Sequence, residues 1–203
     1  MSLKKKKKTN TRSKRDLIID AATEMFLEAP FAVVSVDLIA KRAGVSKATI
    51  YAHFGSKVDL FEEVINRRAA TFWQVPEVPD HADETAQYLR QIGTFFVDQL
   101  TRKETLGIFR QVIGSATSFP DLAGVFYRAG PARGIAIFEQ RFAELGQKGF
   151  LNIENPRLTA EMFMSMLKGG FHMRCLLDMK NDPIGPELVI EETVRVMMAS
   201  YGP

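Results

Sequence analysis

Residues able to do chemistry are thinly spread in this sequence, and where they gather they suit hydrogen bonding to a polyanion rather than bond-making. The three histidines, His53, His81 and His172, stand far apart, and no His/Cys/Asp/Glu set has metal-ligand spacing. There is no Gly-rich phosphate loop and no nucleophile motif, so no catalytic residue, metal or cofactor is expected. Cys175 has no basic neighbour in the sequence to make it a reactive thiolate. It reads as a small core residue, with redox sensing as the alternative. The exception is Ser46-Lys-Ala-Thr-Ile-Tyr-Ala-His-Phe-Gly-Ser-Lys57. Lys47, Thr49, Tyr51, His53 and Lys57 can donate to phosphate or base oxygens, and the methyls of Ala48 and Ala52 can touch a thymine methyl.

Such a run needs a short helix held at a fixed angle. Ser46 suits its N-cap and Gly55 its end. Turning Ile50 inward at roughly 100° per residue brings Phe54 beside it and puts Ala48 and Ala52 outside, with Thr49 and Tyr51 flanking them. Before it, Ser35 opens a helix with the face Val36, Ile39, Ala40 and Ala43, and Gly44 permits the tight turn between the two. Helix, four-residue turn, helix is the arrangement of a DNA reader. Ser56-Lys-Val-Asp59 reads as a capping box, so Lys57 and the amides of the following helix can hold a phosphate. His53 can equally cap or pack, Tyr51 can be a packing aromatic, and Thr49 can bond its own backbone.

Charge agrees with a polyanion partner. The net charge of +3 conceals 12 Lys/Arg against 6 Asp/Glu up to Leu60, and 15 against 18 beyond it. Lys4–Lys8 is a run of five lysines that cannot pack; it is either a solubilising tail or an arm tracking phosphates. The 46% hydrophobic and 25% charged composition is that of a globular chain with a sizeable core, and excludes a disordered or collagen-like one. No apolar run reaches membrane-spanning length and no secretory signal is seen, so a soluble, cytoplasmic protein without membrane contact is expected.

The periodicity is helical almost throughout, and the expected fold is all-α, with nine to ten helices. Leu17, Ala21, Ala22, Met25 and Phe26 form the face of a first helix stopped by Pro30. The helix from Ser56 runs towards Trp73, and Gln74–Ala82, with Pro76 and Pro79, reads as a linker. Later helices are marked by Leu89, Ile92, Gly93, Phe96 and Leu100, and by Leu106, Phe109 and Ile113. Others follow from Pro120 to Gly130, from Pro131 to Gln147, from Leu158 to about Leu177, and from Glu187 to about Ser200.

The stretch Ser35-Val-Asp-Leu-Ile-Ala-Lys-Arg-Ala-Gly-Val-Ser-Lys-Ala-Thr-Ile-Tyr-Ala-His-Phe54, with Gly-Ser-Lys57, resembles the TetR/AcrR family of bacterial transcriptional regulators. The resemblance extends over about Arg12 to Phe72. Pro30 and Val58 stand where the family commonly has glycine and glutamate, away from the expected DNA face. The resemblance implies a flexible basic arm (1–11), a helix-turn-helix head (12–72, motif 35–54), and a larger C-terminal domain (73–203) that dimerises and binds a small effector. It places Ser35, Ser46, Thr49, Tyr51, His53 and Lys57 at DNA-contacting positions, and Lys47 and Ala48 where operator choice is set. Repression is the family's usual mode.

In the C-terminal half the small residues Ala132, Ala136, Ala143 and Gly146 share one helix face, and Ile135, Phe138, Phe142 and Leu145 another. The 158–177 helix is apolar on most sides and must be buried on two. A homodimer through helices near 131–147 and 158–177 is therefore expected, with a monomer core helix as the alternative for 158–177, so that two heads read a pseudo-palindromic operator on double-stranded DNA. Candidate effector contacts are Trp73, Phe96, Phe109, Arg110, Phe126, Met166 and Phe171, with Phe95, Phe119, Tyr127 and His172 further options. Plain core is the alternative for each aromatic. The effector expected is apolar or aromatic. The rival readings are a helical protein-interaction module and a regulator or activator that works without effector-driven release.

Overall fold

A computed structural model describes residues 12–179 and 184–203. The Lys4–Lys8 run, and part of the break around Asp182, lie outside the described residues. Ten α-helices are present among those described, and no strand: α1 (Lys14–Glu28), α2 (Val36–Ala43), α3 (Lys47–Phe54), α4 (Lys57–Phe72), α5 (Thr85–Thr101), α6 (Lys103–Ser115), α7 (Pro120–Tyr127), α8 (Arg133–Gln147), α9 (Pro156–Leu176) and α10 (Pro186–Tyr201). The chain divides into two compact units between Val64 and Ile65, within α4.

The first unit is built on a cluster of three phenylalanines. Phe26 of α1, Phe31 of the following turn and Phe61 of α4 lie with ring centroids 5.2–5.6 Å apart. α1 starts at Ser13, whose hydroxyl accepts from the Asp16 amide, and ends before Pro30, which forces Ala29 into extended backbone. Its buried face is Ile18, Ile19, Ala21, Ala22 and Phe26. Leu17, expected inside, is exposed, because the consecutive pair Ile18-Ile19 moves the buried stripe one residue along. Arg42 bridges α2 to α1 through Glu24 (3.0 Å) and Glu28 (2.9 Å).

The turn between α2 and α3 follows from Gly44, which sits in the left-handed region at φ 68°, ψ 33°. Its amide, and that of Val45, bond back to carbonyls of the last turn of α2, closing that helix before Ser46 opens the next. A side chain at 44 would meet no atom within 4 Å, so any penalty there is one of backbone conformation alone.

The second unit has its core among α5, α8, α9 and α10. Phe96, Phe138, Phe142 and Phe163 are fully buried and their rings contact in sequence at 5.4–5.8 Å. Each contributes about 1.5–3 kcal/mol by leaving water. The proline-bearing stretch after Trp73 is irregular, but it is tied down. Arg141, itself buried, forks onto Glu77 at 2.6 Å, Tyr88 donates to the Pro76 carbonyl (3.1 Å), and Lys148 to that of Pro79 (2.7 Å).

Three expectations change here. Ile113 is exposed, and α6 buries Leu106, Ile108 and Val112 instead. Pro131 does not begin a helix. A π turn at Arg128–Ala132 carries it and joins α7 to α8 without a break, the wider turn absorbing a residue that has no N–H to donate. α9 is interrupted at Gly169 (φ 44°, ψ −164°), a conformation open essentially to glycine only.

Gly44→Val should destabilise the first unit by about 1–2 kcal/mol, and Gly44→Asn by much less, since asparagine tolerates the left-handed region. Denaturant unfolding of the two variants checks this.

Candidate nucleic-acid interface and ligand cavity

α3 buries only Ile50 and Phe54. Ser46 caps it by accepting from the Thr49 amide (3.1 Å), and the two hydroxyls, Ser46 Oγ and Thr49 Oγ1, lie 2.8 Å apart. Lys47, Ala48, Tyr51, Ala52 and His53 are exposed and Thr49 is half-buried. These residues therefore share one solvent-facing surface, with the two alanines giving it a low central strip. Lys47 reaches Asp37 of α2 at 2.9 Å; the hydrogen bond to that carboxylate holds the ammonium above the ordinary lysine value. An exposed pair of this kind is weak, so a phosphate can displace it. Ser35 is occupied as the N-cap of α2, accepting from the Leu38 amide.

Lys57 opens α4 next to this surface. Ser56 caps the helix, accepting from the Asp59 amide (3.0 Å) and donating to the Asp59 carboxylate (2.7 Å). The Lys57 ammonium lies 4.3 Å over the Phe31 ring, and partial burial lowers its pKa. The phenylalanine cluster thus fixes where this charge sits. The Lys47–Asp37 pairing has no counterpart in local sequence spacing, since the two residues stand on different helices.

Within the 65–203 unit lies a cavity of about 80 Å³. Its walls are Ile65, Arg68, Ala69 and Phe72 from the later turns of α4, then Trp73, Phe96 and Leu100 of α5, Thr105, Ile108 and Phe109 of α6, Phe126 of α7, Gly130 and Pro131 of the π turn, and Lys168 of α9. Phe109 and Phe126 meet edge to face at 4.9 Å, and Trp73 stacks on Phe96 at 6.3 Å. Trp73 also lies against Gly134, where even a Cβ would collide with the indole. Trp73, Phe96, Phe109 and Phe126 are thus brought to one space.

Other candidates are placed elsewhere. Arg110 donates to the carbonyls of Leu176 (2.6 Å) and Cys175 (2.7 Å), closing the C-terminal end of α9. Met166 lines a separate groove against α10, and Phe171 is part of the core. Phe95, Phe119 and Tyr127 do not line the cavity either. His172 is buried with its ring edge-on to Phe109 at 5.4 Å; burial, then the charge of Lys168, lowers its pKa. Arg68 and Lys168 escaped the sequence reading because a cation on a helix ordinarily faces water. The signal was there for Lys168, the single charged residue between Met162 and Met173.

On α9 and α10 large apolar side chains stand exposed, namely Leu158, Met162, Met173, Leu188 and Val196. Met166, Leu188, Val189 and Val196 line a groove of about 330 Å³. α8 leaves Arg133, Ala136, Gln140 and Gln147 to solvent and packs chiefly along α9. Among the described residues no helix is long and apolar enough to cross a membrane, and no group of His, Cys, Asp or Glu could hold a metal ion.

Comparison with known proteins gives two family matches. Residues 18–64 match "Bacterial regulatory proteins, tetR family", and residues 87–203 match "AefR-like transcriptional repressor, C-terminal domain". The uncharacterized HTH-type transcriptional regulator YdeS of Bacillus subtilis is 30% identical over 176 residues, 85% of this chain and 84% of its own. Among solved structures, the flavonoid-responsive regulator FrrA superposes with a TM-score of 0.80 at 29% identity, covering 94% of this chain and 97% of FrrA. A TetR family transcriptional regulator from Pseudomonas syringae pv. tomato superposes with a TM-score of 0.72 at 26% identity, covering 95% and 98%.

Ile50→Ala should destabilise the first unit by about 2–5 kcal/mol, the cost of a cavity in a packed core. Ala48→Ser, on the exposed strip, should change stability by less than about 0.5 kcal/mol. Thermal melting of the two variants tests the inward and outward assignments.

Proposed function

This chain belongs to the TetR family of bacterial regulatory proteins, a family of DNA-binding transcriptional regulators and not of enzymes, and from that premise we propose that it is a dimeric repressor released from a pseudo-palindromic operator by a small apolar or aromatic effector. The observation that carries the DNA reading is the surface of α3, where two residues are committed inward and Lys47, Ala48, Tyr51, Ala52 and His53 are left outward. In this reading Tyr51, Thr49 and His53 contact the DNA, Lys47 and Ala48 tune base choice, and Lys57 holds a phosphate from above Phe31. In the same reading Ser35 and Ser46 act at the starts of their helices, where N-terminal amides suit a phosphate.

One short helix reads few base pairs, so two copies about 34–36 Å apart are needed. The exposed apolar residues of α9 and α10 supply the surface for pairing. The interface proposed is thus the 158–177 helix with 186–201, in place of 131–147. The effector site proposed is the cavity of the 65–203 unit, and the flavonoid response of FrrA supports an aromatic occupant. Because Arg68 and Phe72 of α4 form part of its wall, an effector that fits better when α4 shifts biases the head at the other end of that helix. Release then needs no contact between effector and DNA.

Tyr51→Ala should weaken binding to a selected operator fragment by about tenfold or more, corresponding to ~1–3 kcal/mol. Lys57→Ala should weaken all fragments alike and reduce the salt slope by about 1. Anisotropy titrations at stepped salt read both, and unchanged affinity in either variant would refute the placement of α3 on DNA. For the dimer, Met162→Glu and Leu188→Glu should each shift sedimentation equilibrium towards monomer, with operator affinity falling in step. A variant that stays dimeric would move the interface off α9 and α10.

A further inference from the structure

We propose that Asp37 and Lys47 together read one G·C base pair in each half of the operator, Lys47 donating to the guanine and Asp37 accepting from the cytosine amino group. This rests on the reading of α3 as the DNA-contacting helix of a dimer, and adds to it a residue of α2 and the base pair it selects.

The pair stands where a base reader must. Lys47 is the first residue of α3, and the N-terminal residues of a recognition helix are those that meet base edges. Asp37 lies in the first turn of α2, and its Oδ2 accepts from the Lys47 ammonium at 2.9 Å. Both side chains are at least half exposed, so the pair faces water with hydrogen-bonding capacity to spare.

A carboxylate is out of place on a surface that approaches phosphates. From Val36 to Lys57, Asp37 is the sole acidic residue, against Lys41, Arg42, Lys47 and Lys57. Phosphates repel it, and it cancels the charge with which Lys47 would release a counter-ion. A phosphate can draw Lys47 away only by leaving Asp37 uncompensated beside the DNA backbone. The arrangement thus weakens binding to every sequence that gives the carboxylate nothing to accept, and an unpaired charge of this kind creates selectivity.

The identity of the base pair follows from spacing. Guanine O6 and cytosine N4 bond to each other, so they stand about 2.9–3.0 Å apart. Towards the major groove O6 accepts and N4 donates. Lys47 and Asp37 offer a donor and an acceptor at the matching distance. With one ammonium hydrogen held by Asp37, the others are left for guanine O6 and N7. Every group is then satisfied and the ion pair stays intact. An A·T pair sets its amino group between two acceptors, so the ammonium reaches only one of them, and thymine adds a methyl beside O4.

The test selects duplexes from a randomised pool with the intact protein and with Asp37→Ala. The wild-type chain should fix a G·C pair at one symmetric position of each half-site, and Asp37→Ala should relax that position alone. Anisotropy titrations on the selected duplex then read the contact itself. Exchanging that G·C for A·T in one half-site should cost the wild type about tenfold to a hundredfold and Asp37→Ala less than about threefold. Replacing the cytosine by N4-methylcytosine, which removes the outward N–H and keeps the base pair, should weaken the wild type and leave Asp37→Ala indifferent. The wild-type half of that comparison stands even if the variant folds poorly, which melting curves report. On an unselected duplex Asp37→Ala should bind more tightly than the wild type, with a salt slope steeper by about 1, because Lys47 is freed for a phosphate. The inference is overturned if Asp37→Ala keeps the wild-type base preference, or if the wild type tolerates the methylated cytosine. Loss of binding in Tyr51→Ala would in either case still support α3 on DNA. If the wild type selects no duplex at all, the reading of α3 falls and this inference falls with it.

Discussion

An eight-residue helix has too few turns to hold itself in water, and α3 persists because Ile50 and Phe54 sink into the first unit. Full burial of Ile50 contributes about 1.5–3 kcal/mol. Phe54 is clasped further by Arg15, whose guanidinium lies 5.3 Å from the ring centre and pairs with Glu63 of α4 at 2.8 Å. Since the anchoring is done by two side chains on one edge, the opposite edge carries no packing duty. That freedom lets alanine, tyrosine and lysine stand side by side where a core would have demanded aliphatic residues. The phenylalanine cluster serves the neighbouring position, since Phe31, held by Phe26 and Phe61, seats the Lys57 ammonium.

The second unit solves a different problem with similar means. Its phenylalanine-rich core leaves a narrow space where α4, α5, α6, the π turn and α9 converge, walled by aromatic and aliphatic residues with Arg68 and Lys168 among them. Two backbone irregularities of this unit, at Pro131 and Gly169, lie one in the wall and one beside it. Each marks a place where helical regularity gives way so that neighbouring side chains can be set at an angle the regular ladder would not allow.

The sequence was most readable where local chemistry decides structure. Ser35 and Ser46 cap the helices expected of them, Gly44 makes the turn, and Ile50 and Phe54 fall inside, because caps, left-handed glycines and a two-residue apolar stripe are settled within a few residues. Leu17 and Ile113 are misplaced because an adjacent apolar residue, Ile18 or Val112, leaves the phase of a stripe ambiguous by one position. Pro131 read as a helix start, since a proline in the first turn is common and a proline accommodated by a π turn leaves no local mark. On α9, apolar on most sides, periodicity has no face to choose, so Met166 and Phe171 could not be told from cavity residues. Arg110 was drawn to the cavity by its apolar company, whereas its length lets it reach carbonyls on another helix. Lys168 depended on a tertiary fact, namely which helices close around it.

The position of the division between the two units bears on how such proteins can be recombined. It falls between Val64 and Ile65, inside α4, while the proline-rich stretch after Trp73 is bolted to the second unit by Arg141, Tyr88 and Lys148. A chimera spliced at the prolines would carry Arg68 and Phe72 away with the donor head and leave the recipient's chamber missing a side. A graft that respects the molecule must be cut within α4 and rejoined in helical phase, at steps of about 3.6 residues.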